Sequence, residues 1–415
     1  MPGLGPGIHD FVLEERTWMA VTSTAMTRGE RGPARSSDEQ GAARKRVAKS
    51  GESGAACRCN DFTPRALRQK GRTMTTAFTR DRNGLGAILP LGLAALIAAA
   101  APAQAAMEKT SLAQTPAIMA FLSAYIAEDT GIWRDQGLEV KVINLGGIAT
   151  VNAVIAGSAD FALSSSAALT RAAAHGQRLL AIGSVNDQSG QMTVIRKDIA
   201  EAGHFDPKAP LAVRAKILKG HIVSGGNTGS VADVFLKSVA KVAGLGPADF
   251  TNPPLTAPEL IGAFERHAVD GFSYSLPYPL QVVTEGKAVI VANGSNGELP
   301  QFLPLAAGLL LTRPSLCTEH RSLCEKMGHS FVLATKFLLE HKDESMAILK
   351  KRFPTVSDAV VKASYEAVAR MTQSPPAITV KAFANGDRMN AEAGFLKPED
   401  RVKSYDGLFT NEFLK

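Results

Sequence analysis

The sequence contains few cysteines and few aromatic residues. Its 415 residues include 4 cysteines, 2 tryptophans and 5 tyrosines, and aromatic side chains make up 6% of the total. Four cysteines are too few for a disulfide-framework protein. An aromatic content of 6% together with a mean hydropathy near zero suits an ordinary soluble chain. With 45% hydrophobic residues, the composition is that of an ordinary globular chain of about two domains.

Known catalytic motifs are also missing from the sequence. It contains no GxSxG nucleophile elbow, no Cys/His signature of a thiol enzyme and no cluster of metal ligands at a recognised spacing. We therefore predict that the protein is not an enzyme and requires neither a metal nor another cofactor.

The formal net charge of +7 is concentrated at one end of the chain. Residues 106–415 hold 31 Lys and Arg against 30 Asp and Glu, so six of the seven charges lie in residues 1–105. Residues 1–73 are rich in Gly, Ala, Ser and Arg without a sustained helical or strand period, and we predict that they are disordered. A basic arm for nucleic acid is the alternative, but without interleaved aromatics we expect no nucleic-acid partner.

Residues 74–105 have the order of a secretory signal peptide. Two arginines precede an uninterrupted apolar run at 85–101, and an Ala-Gln-Ala cleavage site follows it. No basic stop-transfer cluster comes after the run, which favours cleavage over anchoring. We therefore expect translation to start at Met74, residues 1–73 to be an extension of the gene model, and cleavage near Ala105 to release a periplasmic protein.

Two cysteines, Cys317 and Cys324, remain in the exported part. They are spaced C-x6-C, with no metal-ligand spacing and no nearby pair of histidines. Because the periplasm is oxidising, we predict a disulfide between them. Two separate buried thiols are the alternative.

From residue 108 onward, short strand-type runs alternate with helical ones, which is typical of an α/β protein with mainly parallel sheets. Two such cycles are followed by helical segments at 320–341, 343–352 and 358–370. We predict two lobes and a helical C-terminal segment. Lobe one comprises residues 106–197 with 298–415, and lobe two comprises residues 198–297. The predicted hinge consists of two chain crossings, near 196–197 and 293–297.

Four blocks of the sequence, in order, carry a family resemblance. They are AEDTGIWRDQGLEV within residues 125–140, AGSADFAL with a serine cluster within 153–176, a Gly/Ser loop and a helix ending in AGL within 218–245, and VDGFSYSLPYP with TEGKAVIV within 260–294. In these blocks the chain resembles the NMT1/THI5-like group of periplasmic substrate-binding proteins, with His267 at a position that is usually Gly. The resemblance implies a type II periplasmic binding protein fold, with two Rossmann-like lobes and a double-crossing hinge.

The resemblance also implies a ligand site where strand ends and helix starts of both lobes converge. Small residues, hydroxyl groups and free backbone amides at these ends would form an uncharged anion cradle. No arginine falls at these ends, so a charged ligand would depend on helix dipoles. Without the resemblance, the serines could merely cap a helix, the glycine loop could be a simple turn, and the tyrosines could be rim or core residues. The predicted ligand-binding residues are Gln114, Thr115, Gly146, Gly147, Ser164, Ser165, Ser166, Asn186, Gly226, Asn227, Thr228, Gly229, Ser230, Tyr274 and Tyr278.

The function implied by the resemblance is that of a monomeric periplasmic binding protein. It would deliver a small polar or anionic organic solute, of sulfonate, nitrate, taurine or thiamine-precursor type, to an ABC permease in the inner membrane. An alternative is the ligand-binding input module of a membrane sensor. A third possibility is an enzyme like the thiamine-pyrimidine synthase of the same fold, but its cysteine-rich iron motif has no counterpart in this sequence.

Overall fold

The structure is a computed structural model, and it describes residues 106–415 of the chain. The predicted disorder of residues 1–73 and the predicted signal peptide at 74–105 lie outside the described residues. In residues 106–415, no helix is both long and apolar enough to cross a membrane.

The described chain forms nine strands in two sheets. The strands are β1 (Glu108–Gln114), β2 (Leu138–Asn144), β3 (Phe161–Ser164), β4 (Leu180–Ser184), β5 (Gln191–Arg196), β6 (Val223–Ser224), β7 (Gly271–Ser275), β8 (Ala288–Asn293) and β9 (Leu309–Thr312). The first sheet has the order β2-β1-β3-β9-β4 and the second has the order β6-β7-β5-β8. The central strands β3 and β9 are almost wholly buried, because helices cover both faces of the sheet.

Fourteen α-helices are described in residues 106–415. They are α1 (Leu122–Asp129), α2 (Ile132–Asp135), α3 (Ala149–Ile155), α4 (Ser166–Ala174), α5 (Lys197–Ala202), α6 (Leu211–Arg214), α7 (Val231–Val242), α8 (Ala257–Glu265), α9 (Tyr278–Thr284), α10 (Pro314–Glu319), α11 (Arg321–Glu340), α12 (Lys342–Arg352), α13 (Asp358–Met371) and α14 (Val380–Glu392). The predicted helical C-terminal segment is present as α10 to α14. Helix α14, for which the sequence analysis gave no prediction, packs against both α4 and α7.

Each sheet is mixed, not mainly parallel as predicted: all strands but one run in the same direction, and four of the seven strand pairs are antiparallel. In the first sheet β9 is antiparallel to β3 and β4, and in the second sheet β5 is antiparallel to β7 and β8. Both reversed strands are the ones that the chain enters directly after leaving the other sheet. A chain arriving from the facing sheet enters at the edge where the parallel strands end, so it runs in the opposite direction.

The structure places the first change of sheet earlier than the sequence analysis did. Residues 191–196, which the predicted boundary at 197 put in lobe one, form β5 of the second sheet. The crossing therefore consists of residues 185–190, not 196–197. Strand β5 follows β4 closely and is buried along most of its length, so its sequence pattern does not distinguish the two sheets. The chain leaves the second sheet after Asn293, where the second crossing was predicted.

The two crossings lie side by side and are joined by backbone hydrogen bonds. The Val185 amide donates to the Gly308 carbonyl at 2.8 Å, and the Leu305 amide donates to the Asp187 carbonyl at 2.7 Å. The C-terminal helices hold the first crossing from another side, because the Asp187 amide donates to the Met371 carbonyl at 2.9 Å. These bonds pair backbone amides and carbonyls of the crossings, which have no partner strand because the chain leaves both sheets at this point.

Local sequence fixes where the helices that face the site begin. Ser165 and Ser230 are the N-caps of α4 and α7, and each side chain accepts a hydrogen bond from the amide three residues later. His267 ends the turn after α8 at φ +56°, in the left-handed region that favours glycine, and it is the position where glycine was expected from the resemblance. Cys317 on α10 and Cys324 on α11 form a disulfide, with their Cα atoms 5.5 Å apart.

Candidate functional site

A cavity of about 390 Å³ is lined by residues from both sheets. Strands β1 to β4 of the first sheet and β6 and β7 of the second sheet end at or near it, and the reversed strand β5 begins at it. Chain segments from the two crossings form part of its wall. This is the position expected for a ligand in open α/β sheets.

Twelve of the fifteen predicted residues line this cavity. They are Thr115, Gly146, Gly147, Ser164, Ser165, Ser166, Asn186, Asn227, Gly229, Ser230, Tyr274 and Tyr278. The rule that ligands bind at the ends of strands therefore selected residues that span more than 160 positions of the sequence and that line one cavity in the structure. Whether they bind a ligand stays a prediction.

The other three predicted residues, Gln114, Gly226 and Thr228, are not in the cavity wall. Gln114 is buried at the end of β1, and its Oε1 has no hydrogen-bond partner among the described residues. Gly226 has φ +74°, and a Cβ there would lie 3.2 Å from the ring of Tyr274. Its role is to let the loop approach that ring. Thr228 is exposed.

The three serines after β3 differ in what their hydroxyl groups contact. Ser165 Oγ accepts from the Ala168 amide at 3.3 Å, so it caps α4. Ser166 Oγ donates to the Ala306 carbonyl at 2.7 Å and is buried. Ser164 makes no side-chain hydrogen bond within the described part of the chain. Its hydroxyl is therefore the one best placed to bind a solute.

The loop before α7 supplies the facing wall. Ser230 Oγ donates to the Gly225 carbonyl at 3.0 Å and accepts from the Asp233 amide at 3.2 Å, so it holds the loop against the helix. Asn227 is exposed, and its side chain makes no hydrogen bond to any described residue. Its amide group is therefore available to a solute in the cavity.

Two tyrosines form an aromatic pair at the second sheet. The rings of Tyr274 and Tyr278 meet edge to face, with centroids 5.4 Å apart and planes at 84°. Burial raises the pKa of both phenols above the ordinary value. Both hydroxyl groups therefore stay protonated at neutral pH and can donate hydrogen bonds to a solute.

A pair of polar side chains that the sequence analysis did not select also lines the cavity. Gln191 in β5 and Ser275 in β7 are directly opposite each other in the antiparallel pair. Gln191 Oε1 and Ser275 Oγ are shielded from solvent and have no hydrogen-bond partner in residues 106–415. Buried polar atoms are normally paired, so these two atoms mark a place for a polar group or water.

Helix α4 also brings an arginine, Arg171, into the cavity wall. Its Nη2 donates to the Gly229 carbonyl at 2.7 Å, and its Nη1 donates to Asn390 Oδ1 at 3.3 Å. Burial lowers the pKa of the guanidinium, while the field of Asp233 opposes that shift. No arginine lies at the strand ends, but Arg171 reaches the cavity from the second turn of α4, so the expectation that a charged ligand would depend on helix dipoles overlooked this cation.

Other residues that line the cavity belong to elements that were not selected by searching the ends of strands. Thr256 and Pro258 lie at the start of α8, where Thr256 Oγ1 and its amide both contact Glu259. The TxxE spacing is a capping-box signal, so this helix start could have been found from the sequence. Gly386 and Met389 belong to α14, and no local signal predicts that this helix returns to the site.

The arrangement is suited to binding a small molecule. Helices α4, α7 and α8 direct their N-terminal turns towards the cavity, where unpaired amides favour negative charge. Within residues 106–415, no three His, Cys, Asp or Glu side chains are close enough to share a metal ion. The predictions that no cofactor is bound and that no metal is needed stay predictions.

Comparison with solved structures identifies several proteins of similar fold. A protein from Bordetella bronchiseptica RB50 is 19% identical, with a TM-score of 0.61 over 74% of this chain and 95% of its own. The alkanesulfonate-binding protein SsuA from Xanthomonas axonopodis pv. citri, bound to MOPS, is 19% identical, with a TM-score of 0.57 over 71% of this chain and 96% of its own. The periplasmic nitrate-binding protein NrtA from Synechocystis PCC 6803 is 15% identical, with a TM-score of 0.58 over 74% of this chain and 86% of its own.

These similarities establish the fold and confirm the predicted fold class of a two-sheet α/β periplasmic binding protein. The curated proteins include no match to this sequence. The profile of the family described as NMT1/THI5 like matches residues 119–345. This match covers more than half of the chain and confirms the resemblance found in the sequence, so the protein belongs to the NMT1/THI5-like family.

Proposed function

We propose that the protein is the solute-binding component of an ABC importer. It captures a small polar or anionic organic solute in the cavity and presents it to a permease in the inner membrane. Binding and release then need no covalent chemistry, which agrees with the binding roles of the SsuA and NrtA proteins of similar fold. In this proposal the protein works as a periplasmic monomer.

One observation carries the proposal. The cavity receives the strand ends of both sheets, and the two crossings that connect the sheets form part of its wall. A solute bound there contacts both halves of the molecule at once. It therefore stabilises the arrangement in which the halves are closed, by its differential affinity for that state.

Exposed apolar residues at the cavity support the same movement. Ile148, at the start of α3, is 51% exposed, and Val231, at the start of α7, is 41% exposed. They belong to elements of the first and second halves respectively. Closure around a solute would remove apolar surface of both residues from water, which stabilises the closed state.

The test is a binding screen with the purified protein. Thermal unfolding is measured with alkanesulfonates, taurine, nitrate, pyrimidines and aromatic acids, and hits are confirmed by calorimetry. A solute at 100 times its dissociation constant stabilises the folded state by about 2.7 kcal/mol, which is a shift of several degrees. Small-angle scattering should show a smaller radius of gyration with the bound solute.

Matched variants locate the binding. Asn227→Ala and Tyr278→Phe each remove a cavity group and should weaken a confirmed solute, because each loses about one hydrogen bond. Asn152→Ala is the control, because Asn152 is exposed on α3 and does not line the cavity. Unchanged affinity in both cavity variants, or no solute binding at all, would refute the proposal. Loss of solute uptake on deletion of the permease distinguishes transport from a sensor role.

A further inference from the structure

Arg171 is the one cationic side chain that lines the cavity within the described residues. Its guanidinium carries five N–H donors, of which two are directed at the Gly229 carbonyl and Asn390 Oδ1. Both of these partners are uncharged. In residues 106–415, no carboxylate oxygen lies within salt-bridge distance of Arg171.

The acidic residue whose field reaches Arg171 is already engaged elsewhere. Asp233 is 1% exposed and contacts Lys237 Nζ at 3.1 Å. It also accepts from Asn252 Nδ2 at 2.7 Å and from the Gly229 amide at 2.8 Å. Its negative charge is therefore balanced by the lysine and by these donors, and the charge of Arg171 is left without a direct counter-charge.

The surroundings of Arg171 do little to solvate its charge and so do not make up for the missing counter-charge. Its guanidinium carbon lies 5.3 Å from the ring centroid of Phe395, and that ring is also contacted by Lys237 Nζ at 4.1 Å. Burial lowers the pKa of Arg171, but a guanidinium stays protonated in proteins. A half-buried cation with unused donors and no paired anion is costly, and an anionic ligand removes that cost.

The rest of the cavity is largely apolar. Several of the side chains that line it are hydrophobic and come from both halves of the molecule: Pro116, Phe121, Ile148, Val231, Pro258 and Met389. The volume of about 390 Å³ falls in the range of sites for organic ligands. An inorganic oxyanion of four or five atoms would fill only a small part of it.

We infer that Arg171 is the residue that recognises the charged end of the solute, and that the solute is an organic monoanion, a carboxylate or sulfonate, with an apolar body. The inference rests on the proposed solute-binding function and narrows its substrate class. The anion occupies the unused donors of Arg171, and the body lies against the apolar wall. Because Arg171 on α4 donates to the Gly229 carbonyl of the loop before α7, an anion bound to it lies where the two halves of the molecule meet.

The experiment measures binding of matched probes by calorimetry at two ionic strengths. The probes are phenylacetate with its uncharged counterpart phenylacetamide, hexanesulfonate with hexanol, and nitrate. Each is tested against the wild type, Arg171→Gln, Arg171→Lys and Arg178→Gln. Arg178 is the control, because it is an exposed arginine just beyond α4 that does not line the cavity.

We expect at least one organic anion to bind at least tenfold more tightly than its uncharged counterpart and than nitrate. Arg171→Gln should weaken that binding tenfold or more and reduce its dependence on salt, because a charge-assisted hydrogen bond is lost. Arg171→Lys should retain part of the affinity, and Arg178→Gln should retain all of it. Circular dichroism and the unfolding midpoint check that each variant is folded. If the Arg171→Gln variant does not fold, the inference is tested by the affinity of the Arg171→Lys variant and by the comparison of each anion with its uncharged counterpart.

The possible failures are distinguishable. If an uncharged probe binds as tightly as its acid, or if the variants at position 171 do not change anion affinity, the inference is wrong and the solute-binding proposal stands. If nitrate binds more tightly than either organic anion, the assignment of an apolar body is wrong. If no probe binds the wild type and the wider solute panel is also negative, both proposals fall. Comparison of hexanesulfonate with heptanoate, which has the same six-carbon body, separates sulfonate from carboxylate.

Discussion

Gly294 is the position at which a single methyl group should most directly disturb the contact between the crossings. It begins the short turn after β8, and a Cβ at this position would lie 2.5 Å from the Ser189 carbonyl oxygen and 2.9 Å from that of Gln191. Ordinary van der Waals contact begins near 3.4 Å. For Gly294→Ala, the crossings must therefore move apart by roughly 0.9 Å, because a backbone oxygen has no rotamer that relieves the clash.

The expected cost follows from the overpacking of a tight interface. Inserting a methylene-sized group into a well-packed site destabilises by about 1–3 kcal/mol. In a folded body of this size, 1 kcal/mol corresponds to roughly 2 °C, so the unfolding midpoint should fall by about 2–6 °C. Because Ser189 and Gln191 also line the cavity, the affinity for any confirmed solute should fall as well.

Differential scanning calorimetry and urea unfolding measure the effect, with Gly246→Ala as the control. A Cβ at Gly246 would have its nearest neighbour, Asp249 Oδ2, at 3.8 Å, and this residue lies beyond α7, away from both crossings. The control should change the midpoint by no more than about 2 °C. If Gly294→Ala unfolds within about 1 °C of the wild type, the close contact between the crossings is incorrect.

Three further predictions concern stability. Burial raises the pKa of Asp187 in the first crossing, and an interaction with Gln188 opposes this shift to a smaller extent. The folded state therefore binds the Asp187 proton more tightly than the unfolded chain does. The contribution of Asp187 to the free energy of unfolding is present at low pH and is lost as pH rises through its folded-state pKa. Asp187→Asn should therefore raise the unfolding midpoint at pH 7 but change it little near pH 3, and an equal change at both pH values would contradict this cause. Replacing Cys317 and Cys324 by serine should lower the free energy of unfolding in urea by about 2 kcal/mol, since the disulfide closes a loop of 7 residues; no loss would show that it does not constrain the unfolded chain. His267→Gly should raise the free energy of unfolding by about 1 kcal/mol, because φ +56° is strained for histidine, and a loss of stability would mean that the His267 side chain makes a contact worth more than the strain.

The parts of the fold and site that the sequence predicts depend on local signals. Strands, helix caps and the glycine loop are recognisable within about ten residues, and the rule that ligands lie at strand ends then selects Ser164, Asn227 and Tyr278. The sheet to which β5 belongs depends on pairing with β7 and β8, which are about 80 and 100 residues further along. Local pattern carries no information about that choice, so the predicted lobe boundary was misplaced.

Arg171 shows the same limit for the site. Its helix was predicted, but the face that turns to the cavity is set by contacts with α14 and with the loop before α7. The Asn390 side chain that holds it is 219 residues away in the chain. A search limited to the ends of strands cannot find a residue in the second turn of a helix, even when that residue is the charged side chain that lines the cavity.

The position of β9 between β3 and β4 has a consequence for the order of folding. β3 and β4 are close in the chain, yet each pairs with β9, which begins at Leu309. The first sheet therefore cannot be completed until the whole second sheet has been synthesised. During synthesis β3 and β4 have exposed edges, whereas the second sheet, from Gln191 to Asn293, is continuous in the chain and can form first. The half of the molecule that begins the described chain is thus the half that is completed last, and its long-range pairing makes folding slow relative to a protein with local contacts.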